Sequence, residues 1–234
     1  MIGHPAVAEI MARAGFDWVA VDMEHSAITT QQAEDLIRAV QTGGSAPLVR
    51  LTNNDENLIK RVMDSGAAGI IVPMIKTVGD AKKAVAAMQY PPRGSRGVGL
   101  ARAQKYGADF DGYRKWLEKE AVCIVQIEHI DAVSNCKDIL SVPGVDGYLL
   151  GPYDLSASLG VAGQLDHPKV LAAMDKVRKA AEKLKKPGGI HIVEPDEARL
   201  KAAIKSGYTF IAYSIDTRII DRASRHAVKI AKGK

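Results

Sequence analysis

Residues 144–156 read Gly-Val-Asp-Gly-Tyr-Leu-Leu-Gly-Pro-Tyr-Asp-Leu-Ser, an apolar run that stops at a Gly-Pro pair and is followed by Asp154. Such a short apolar run predicts a buried strand, and Asp154 stands where a helix can begin. Residues 121–128, Ala-Val-Cys-Ile-Val-Gln-Ile-Glu, form a similar run that closes on Glu128. If the two strands are neighbours in a parallel sheet, both carboxylates reach the same rim, which is the arrangement that a hard divalent cation requires.

The same pattern continues along the chain, where short runs rich in Val and Ile alternate with longer segments of helical spacing. This alternation predicts a parallel sheet covered by helices. The predicted strands span residues 16–22, 47–51, 69–73, 121–127, 145–150, 188–192 and 209–213. The predicted helices span residues 5–14, 30–42, 54–65, 78–89, 111–120, 132–140, 167–184, 195–206 and 217–232.

A (β/α)8 TIM barrel fits this alternation best, as a single domain over residues 1–234. The pattern gives seven strands rather than eight, and residues 98–100 are a short candidate for the eighth. A doubly wound open sheet accommodates seven strands and is the alternative fold. That fold usually carries a glycine-rich nucleotide-binding turn after an early strand, and the sequence contains no such turn.

The amino-acid composition indicates a soluble globular protein and argues against a membrane or nucleic-acid partner. The hydrophobic fraction of 47% and the charged fraction of 25% are those of a soluble globular protein. The sequence has no apolar run long enough to cross a membrane and no signal-peptide pattern, so we expect a cytoplasmic protein without a membrane partner. The net charge of +5 comes from lysines at predicted helix ends and not from a nucleic-acid motif, so we expect no nucleic-acid partner.

Polar residues collect at the carboxyl ends of the predicted strands, where an α/β protein places its chemistry. They are Asp22, Glu24, His25, Arg50, Gln126, Glu128, Asp154, His191, Glu194, Ser214 and Asp216. No serine lies in a nucleophile elbow and no lysine ends a strand, so metal chemistry is favoured over covalent chemistry. The long connection from Pro91 towards Asp111 carries Arg93 and Arg96, which either meet an anion or belong to a solvated loop.

Each of these residues has a structural interpretation beside the functional one. Asp22 is placed to hold the imidazole of His25 by one ring nitrogen, leaving the other as a base, although loop histidines are often structural. Arg50 needs an anion, which is either a substrate oxygen or the carboxylate of Asp22 or Glu24. Asp154 either caps the helix that follows or binds a metal, and in the structural case Glu128 would be a surface acid.

Several motifs together resemble the HpcH/HpaI aldolase family, in order and with matching spacings over nearly the whole chain. They are residues 21–25 (Val-Asp-Met-Glu-His), 49–50 (Val-Arg), 72–74 (Val-Pro-Met), 90–99 (Tyr-Pro-Pro-Arg-Gly-Ser-Arg-Gly-Val-Gly), 126–128 (Gln-Ile-Glu) and 151–156 (Gly-Pro-Tyr-Asp-Leu-Ser). The resemblance implies a (β/α)8 barrel that lacks the family's first strand in this chain. It also implies a homo-oligomer, a hexamer or trimer of dimers, with a swapped C-terminal helix.

The resemblance further implies a metal-dependent aldolase that forms no Schiff base. Glu128 and Asp154 would bind Mg²⁺ or Mn²⁺, with Co²⁺ as a further candidate, and the 2-oxo acid would chelate the metal beside Gln126. The reaction would be reversible cleavage of a 4-hydroxy-2-oxo acid to pyruvate and an aldehyde. The alternatives are an oxaloacetate decarboxylase or a citrate-forming synthase of the same family, and a non-catalytic binding or assembly protein.

The resemblance assigns the remaining roles to residues around the donor. Arg50 would hold the keto oxygen and stabilise the enolate, and His25, oriented by Asp22, would move the proton. The backbone amides of Tyr153 and Asp154 would hold the donor carboxylate. Tyr153 stands where many members have alanine, and the loop that follows residues 97–103 differs from that of the best-known members, so the identity of the aldehyde is left open.

Overall fold

The computed structural model describes residues 1–233, which form seven strands and ten α-helices in alternation. The strands are β1 (Trp18–Asp22), β2 (Ala46–Arg50), β3 (Gly69–Val72), β4 (Val122–Ile127), β5 (Gly147–Leu150), β6 (Gly188–Ile192) and β7 (Phe210–Tyr213). The helices are α1 (Pro5–Arg13), α2 (Thr30–Gly43), α3 (Glu56–Asp64), α4 (Val78–Met88), α5 (Phe110–Lys119), α6 (Ile130–Leu140), α7 (Pro152–Ser158), α8 (Pro168–Lys183), α9 (Glu197–Lys205) and α10 (Asp216–Ala231). A short 3₁₀ segment covers Arg102–Gly107.

All seven strands are parallel, and each pairs with the next strand in sequence, so the sheet order is β1 to β7 without a reversal. A doubly wound sheet reverses its strand order at the point where its ligand binds. The in-order sheet therefore shows that the doubly wound alternative is wrong. It also brings every strand's carboxyl end to one rim.

The sheet curls on itself but stays open between β1 and β7. Its concave face holds a small apolar cluster of Leu48, Ile71, Ile124 and Leu149, while a larger cluster fills the space between the strands and the helices. Trp18 of β1 stacks on Phe210 of β7, with ring centroids 4.3 Å apart. The two edge strands thus approach each other through side chains rather than through backbone pairing, and a cavity of about 170 Å³ lies in this seam.

Closure into an eight-stranded barrel is not confirmed within residues 1–233. Residues 98–100, the candidate for an eighth strand, have no regular secondary structure, and Val98 and Leu100 are exposed. A strand needs a neighbour to take its backbone hydrogen bonds, and this segment runs outside the sheet. Among residues 1–233, none of the helices combines the length and the apolar character needed to cross a membrane.

The long connection after α4 is fixed by Arg96, whose side chain is fully buried. Its guanidinium donates to Asp64 over 2.6 Å and to the hydroxyl of Tyr113 over 3.0 Å. It also lies 4.7 Å from the ring centroid of Tyr90, within range of a cation–π contact. The anion that Arg96 meets is therefore Asp64, so this arginine anchors the loop to α3 and α5.

Candidate active site

Asp22 and Arg50 lie opposite each other at the ends of β1 and β2, as partners in the strand register. Arg50 Nε donates to Asp22 Oδ1 over 2.9 Å and Nη2 donates to Oδ2 over 2.7 Å, which is a two-point ion pair. Burial alone would raise the pKa of Asp22, but the hydrogen bonds and charge of Arg50 hold that pKa below its usual value. Both groups are therefore charged at neutral pH, and Arg50 is held rigidly at the rim.

Glu128 follows β4 and is almost completely buried, which corrects the alternative that it is a surface acid. Its Oε1 accepts the backbone N–H of Met74 over 2.7 Å, and its Oε2 accepts a hydrogen bond from the Gln126 amide. Burial raises the pKa of Glu128, and the nearby charge of Asp154 raises it further. The carboxylate is thus fixed by two donors in a place where additional positive charge would stabilise it.

Asp154 lies in the first turn of α7, which begins at Pro152, so the helix starts earlier than the sequence suggested. Gly151 is the N-cap residue of this helix, and the interpretation of Asp154 as a cap is therefore wrong. The backbone at Gly151 passes directly over Glu128, since a Cβ built there would lie 2.6 Å from Glu128 Oε2. A side chain at position 151 would push Glu128 away, and its absence lets the two strand ends meet closely.

His25 is placed at the same rim, but its imidazole does not contact Asp22 in the way that we expected. Asp22 Oδ1 accepts the backbone N–H of His25 over 3.4 Å, while the imidazole Nε2 lies 3.7 Å from Glu24 Oε2. The Asp22 carboxylate is occupied by Arg50, because a charged two-point partner in the neighbouring strand binds it more strongly than a neutral ring does. The acid closest to the His25 ring is therefore Glu24, which corrects the proposed orientation by Asp22.

Glu24 has no catalytic role in the sequence-based assignment, which named it only as a possible partner of Arg50. Its side chain is 14% exposed, and its Oε2 lies 3.3 Å from Arg50 Nη1. Burial raises the pKa of Glu24 to about 7; Glu128, Asp22 and Asp154 add to this rise, and Arg50 opposes it. The available signal was its spacing, because Asp22 and Glu24 are two residues apart at a strand end and can face the same side.

Gln126 and His191 complete the polar layer inside the curled sheet. Gln126 is buried, and its Oε1 has no hydrogen-bond partner among residues 1–233. His191 lines the seam cavity together with Asp22 and Arg50, and its Nε2 lies 3.4 Å from the backbone oxygen of Ser214. Burial lowers the pKa of His191, and the charge of Arg50 lowers it further, so this imidazole is neutral at pH 7.

Three other strand-end residues serve local structure. Glu194 forms a two-point pair with Arg218, with distances of 2.9 and 2.8 Å. Asp216 accepts the backbone N–H of Ile2 over 2.8 Å, and the Ser214 hydroxyl donates to the Val193 oxygen over 2.9 Å. These contacts give each of the three residues a structural role at its strand end.

Tyr153 is 49% exposed. It lines a separate cavity of about 790 Å³ beside α8, α9 and β6. His191 lines this cavity too, so it stands between the seam and this larger space. Tyr153 therefore lines the larger cavity, which shares His191 with the seam cavity.

The donor set fits a divalent cation of the magnesium type. Arg50 pairs with both Asp22 and Glu24, yet burial together with the charges of Glu128, Asp22 and Asp154 still raises the pKa of Glu24 to about 7, so this end of the sheet has an excess of acidic groups. Within residues 1–233 no cluster of three or more His, Cys, Asp or Glu side chains is arranged to hold a metal ion. Two carboxylates can still hold Mg²⁺ or Mn²⁺ when water and a chelating substrate provide the other oxygens.

Comparisons with known proteins agree with this geometry. The model of the HpcH/HpaI aldolase/citrate lyase family matches residues 2–223. A hydroxypyruvate/pyruvate aldolase of Sagittula stellata is 41% identical over 219 residues, which cover 93% of this chain and 85% of the relative. A 4-hydroxy-2-oxo-heptane-1,7-dioate aldolase of Salmonella paratyphi A is 40% identical over 224 residues, with 93% and 82% covered.

A solved structure shows the same fold. The crystal structure of an HpcH/HpaI aldolase/citrate lyase family protein from Burkholderia cenocepacia J2315 superposes with a TM-score of 0.94 at 34% identity. The superposition covers 99% of this chain and 91% of the other. The arrangement of strands and helices described above is therefore shared with a protein of that family.

Proposed function

Because the chain belongs to the HpcH/HpaI aldolase/citrate lyase family, we propose that it is a class II pyruvate aldolase, a carbon–carbon lyase. It cleaves a 4-hydroxy-2-oxo acid to pyruvate and an aldehyde, and it runs in both directions. Relatives about 40% identical carry aldolase names, which favours this function over a non-catalytic binding protein. The cytoplasmic location expected from the sequence stays a prediction, as does the eight-stranded barrel.

One observation supports the proposal: Asp154 is near enough to Glu128 for its charge to raise the pKa of Glu128, and Arg50 is near enough to oppose this rise. Glu128 and Asp154 would hold the divalent metal, Mg²⁺ or Mn²⁺ with Co²⁺ as a further candidate. When bound, the metal polarises the 2-oxo acid and stabilises negative charge as the carbon–carbon bond breaks. Gln126 lies against Glu128 and fixes the orientation of that carboxylate.

The chain's own residues supply the remaining chemistry. Arg50, held by Asp22, presents its guanidinium to the keto oxygen, where charge develops in the enolate. His25 is 60% exposed at the same rim and moves the proton between the substrate hydroxyl and the enolate carbon. The backbone amides of Tyr153 and Asp154, in the first turn of α7, face the donor carboxylate.

A comparison of donors tests this function against the oxaloacetate-using alternative. The purified protein with Mg²⁺ or Mn²⁺ is assayed for carbon–carbon bond formation with pyruvate and a series of aldehydes, and for decarboxylation of oxaloacetate and citrate formation from it. We expect aldol product from pyruvate, with a kcat/KM at least about tenfold above that of either oxaloacetate reaction, a difference of about 1.4 kcal/mol in the barrier. Oxaloacetate turnover without an aldol product from pyruvate would show the alternative to be correct.

We also propose that the protein is a homo-oligomer. Helix α10 has no buried residue in the single chain, and the apolar side chains of Ile220, Val228 and Ile230 are exposed on it. Exposed apolar side chains along one helix are typical of a protein interface. Sedimentation velocity should give a mass above that of one chain, and Val228→Asp with Ile230→Asp should shift it towards the monomer. A wild-type monomer at all concentrations would contradict the proposal.

A further inference from the structure

The side chain of His191 faces the inside of the curled sheet, in the same layer as Arg50 and Gln126. His191 is paired in register with Ala212 of β7, which packs against the apolar cluster on the concave face. Registered neighbours in a parallel sheet point to the same face, so the imidazole points inward as well. Arg50 and Gln126 each follow a member of that cluster by two positions, and alternate residues of a strand share a face. The proposed function gives His191 no task.

The backbone oxygen of Ser214 determines which nitrogen of the His191 ring carries the proton. Nε2 lies 3.4 Å from that oxygen, and this is the ring's one hydrogen bond within residues 1–233. A carbonyl oxygen can only accept a hydrogen bond, so Nε2 carries the hydrogen. Burial and the charge of Arg50 lower the pKa of His191, which keeps the ring neutral at pH 7. The other nitrogen, Nδ1, is therefore an acceptor with a free lone pair.

Ser214 is held in place by its own contacts. Its backbone has a φ of 59°, in the left-handed region that side chains other than glycine rarely adopt. Its backbone N–H donates to the oxygen of Ile192 over 2.7 Å, and its hydroxyl donates to the oxygen of Val193 over 2.9 Å. A strained conformation persists where its surroundings fix it in this way. The Ser214 carbonyl is thus fixed, and it fixes the His191 ring in turn.

An acceptor at this position selects a neutral hydrogen-bond donor. His191 lines the seam cavity together with Arg50, and it also lines the larger cavity that contains Tyr153. The charge of Arg50 disfavours a cation at this ring, as the lowered pKa of His191 shows. The keto and carboxylate oxygens of a 2-oxo acid cannot donate a hydrogen bond. A hydroxyl group can donate without bringing a charge.

From these contacts we infer that His191 is a specificity-determining residue whose Nδ1 accepts a hydrogen bond from a hydroxyl group of the substrate. The inference rests on the proposed function and gives the preferred class of compound, one with a hydroxyl group next to its carbonyl. This hydroxyl belongs either to the donor, as in hydroxypyruvate, or to the aldehyde, as in glycolaldehyde. A compound without it leaves Nδ1 unpaired, which costs free energy in a buried site.

Pairs of substrates that differ by one hydroxyl test the inference. Hydroxypyruvate is compared with pyruvate as donor, and glycolaldehyde with acetaldehyde as acceptor, in carbon–carbon bond formation with Mg²⁺. For each pair the ratio of the two kcat/KM values is measured in the wild type and in His191→Leu. We expect the preference for the hydroxylated compound to fall by about tenfold in His191→Leu, for the pair that carries the recognised hydroxyl. The unhydroxylated compound should change by less than about threefold.

Two further variants serve as controls. His191→Asn keeps an acceptor oxygen close to the position of Nδ1 and should recover part of the preference. His4→Asn changes an exposed histidine at the start of α1 in the same way and should leave both ratios unchanged. Thermal unfolding of each variant shows whether a loss comes from misfolding. Ratios that are equal in the wild type and His191→Leu, or an equal loss for both compounds of each pair, would overturn the inference.

A spectroscopic measurement separates this inference from the proposed function. The ¹⁵N resonances of the His191 ring, identified by their loss in His191→Asn, report which nitrogen carries the proton. We expect the Nε2–H form, with an Nδ1 resonance that shifts on addition of hydroxypyruvate or glycolaldehyde but not of pyruvate or acetaldehyde. An Nδ1–H form, or no such selective shift, would contradict the inference whatever the activity. If the wild type forms no product from any pair, the proposed function fails, and the ring spectrum alone decides the role of His191.

Discussion

Replacing Arg50 with lysine is expected to lower kcat for pyruvate release by about 10²- to 10³-fold, the cost of losing one preorganised donor at a developing oxyanion. Lysine keeps the positive charge but loses the planar two-point geometry that Arg50 uses on Asp22, with distances of 2.9 and 2.7 Å. The charge at the rim therefore remains while its position is no longer fixed. Steady-state kinetics of the variant with a 4-hydroxy-2-oxo acid gives the measurement.

Two controls make the Arg50 result interpretable. Arg114→Lys changes an exposed arginine on α5 in the same way and should leave kcat unchanged. Thermal unfolding of Arg50→Lys should stay close to the wild type, since a cation still neutralises the buried Asp22. A folded variant with the wild-type kcat would show that Arg50 only stabilises the fold through its ion pair.

The sequence predicted the local elements of the fold well because they depend on local patterns. All seven predicted strands are present, with ends shifted by a few residues. The alternation of short apolar runs with longer segments of helical spacing correctly predicted a parallel sheet. A helix was expected to follow Asp154, but α7 begins two residues before it, at Pro152, and is only seven residues long. The contact between Trp18 and Phe210 across the open seam joins residues that are far apart in sequence, so no local pattern predicts it.

The sequence predicted which residues lie near one another in the candidate site. It did not predict which of these residues contact each other. The sequence pattern placed Asp22, Arg50, Glu128 and Asp154 at one rim, because parallel strands share it, and the catalytic and metal-binding roles of these residues stay predictions. The pairing was wrong for Asp22, since the choice between His25 and Arg50 is made by the register of β1 on β2. The sequence alone does not show how two strands are aligned with each other. In the structure Arg50 forms a salt bridge with Asp22, which is the structural alternative that the sequence analysis named for Arg50.

The raised pKa of Glu24 is a second property of the site that the sequence alone does not predict. Its spacing from Asp22 was visible in the sequence, but its raised pKa comes from burial and from acids on other strands. Glu128 and Asp154 follow β4 and β5, more than 100 residues further along the chain. Only the folded sheet brings these charges close enough to influence Glu24.

Glu128→Gln is expected to weaken metal binding at least about 100-fold, since even residues that only support a ligand cost 10- to 100-fold. The substitution keeps the shape of the side chain and its hydrogen-bond acceptor for Met74, but it removes one of the two carboxylates proposed to hold the metal. Pyruvate release should fall by a similar factor at limiting metal. Burial raises the pKa of Glu128, so an uncharged glutamine should leave the free energy of unfolding unchanged or slightly higher.

Calorimetric titration of Mn²⁺ into metal-free protein tests the central claim most directly, with wild type, Glu128→Gln and the exposed control Glu120→Gln compared in the presence of pyruvate. We predict one Mn²⁺ per chain in the wild type and the control, tighter with pyruvate than without it because the 2-oxo acid completes the coordination. Glu128→Gln should lose this binding. Equal Mn²⁺ binding by all three proteins, or a wild type that binds none and still releases pyruvate at full rate, would contradict the account.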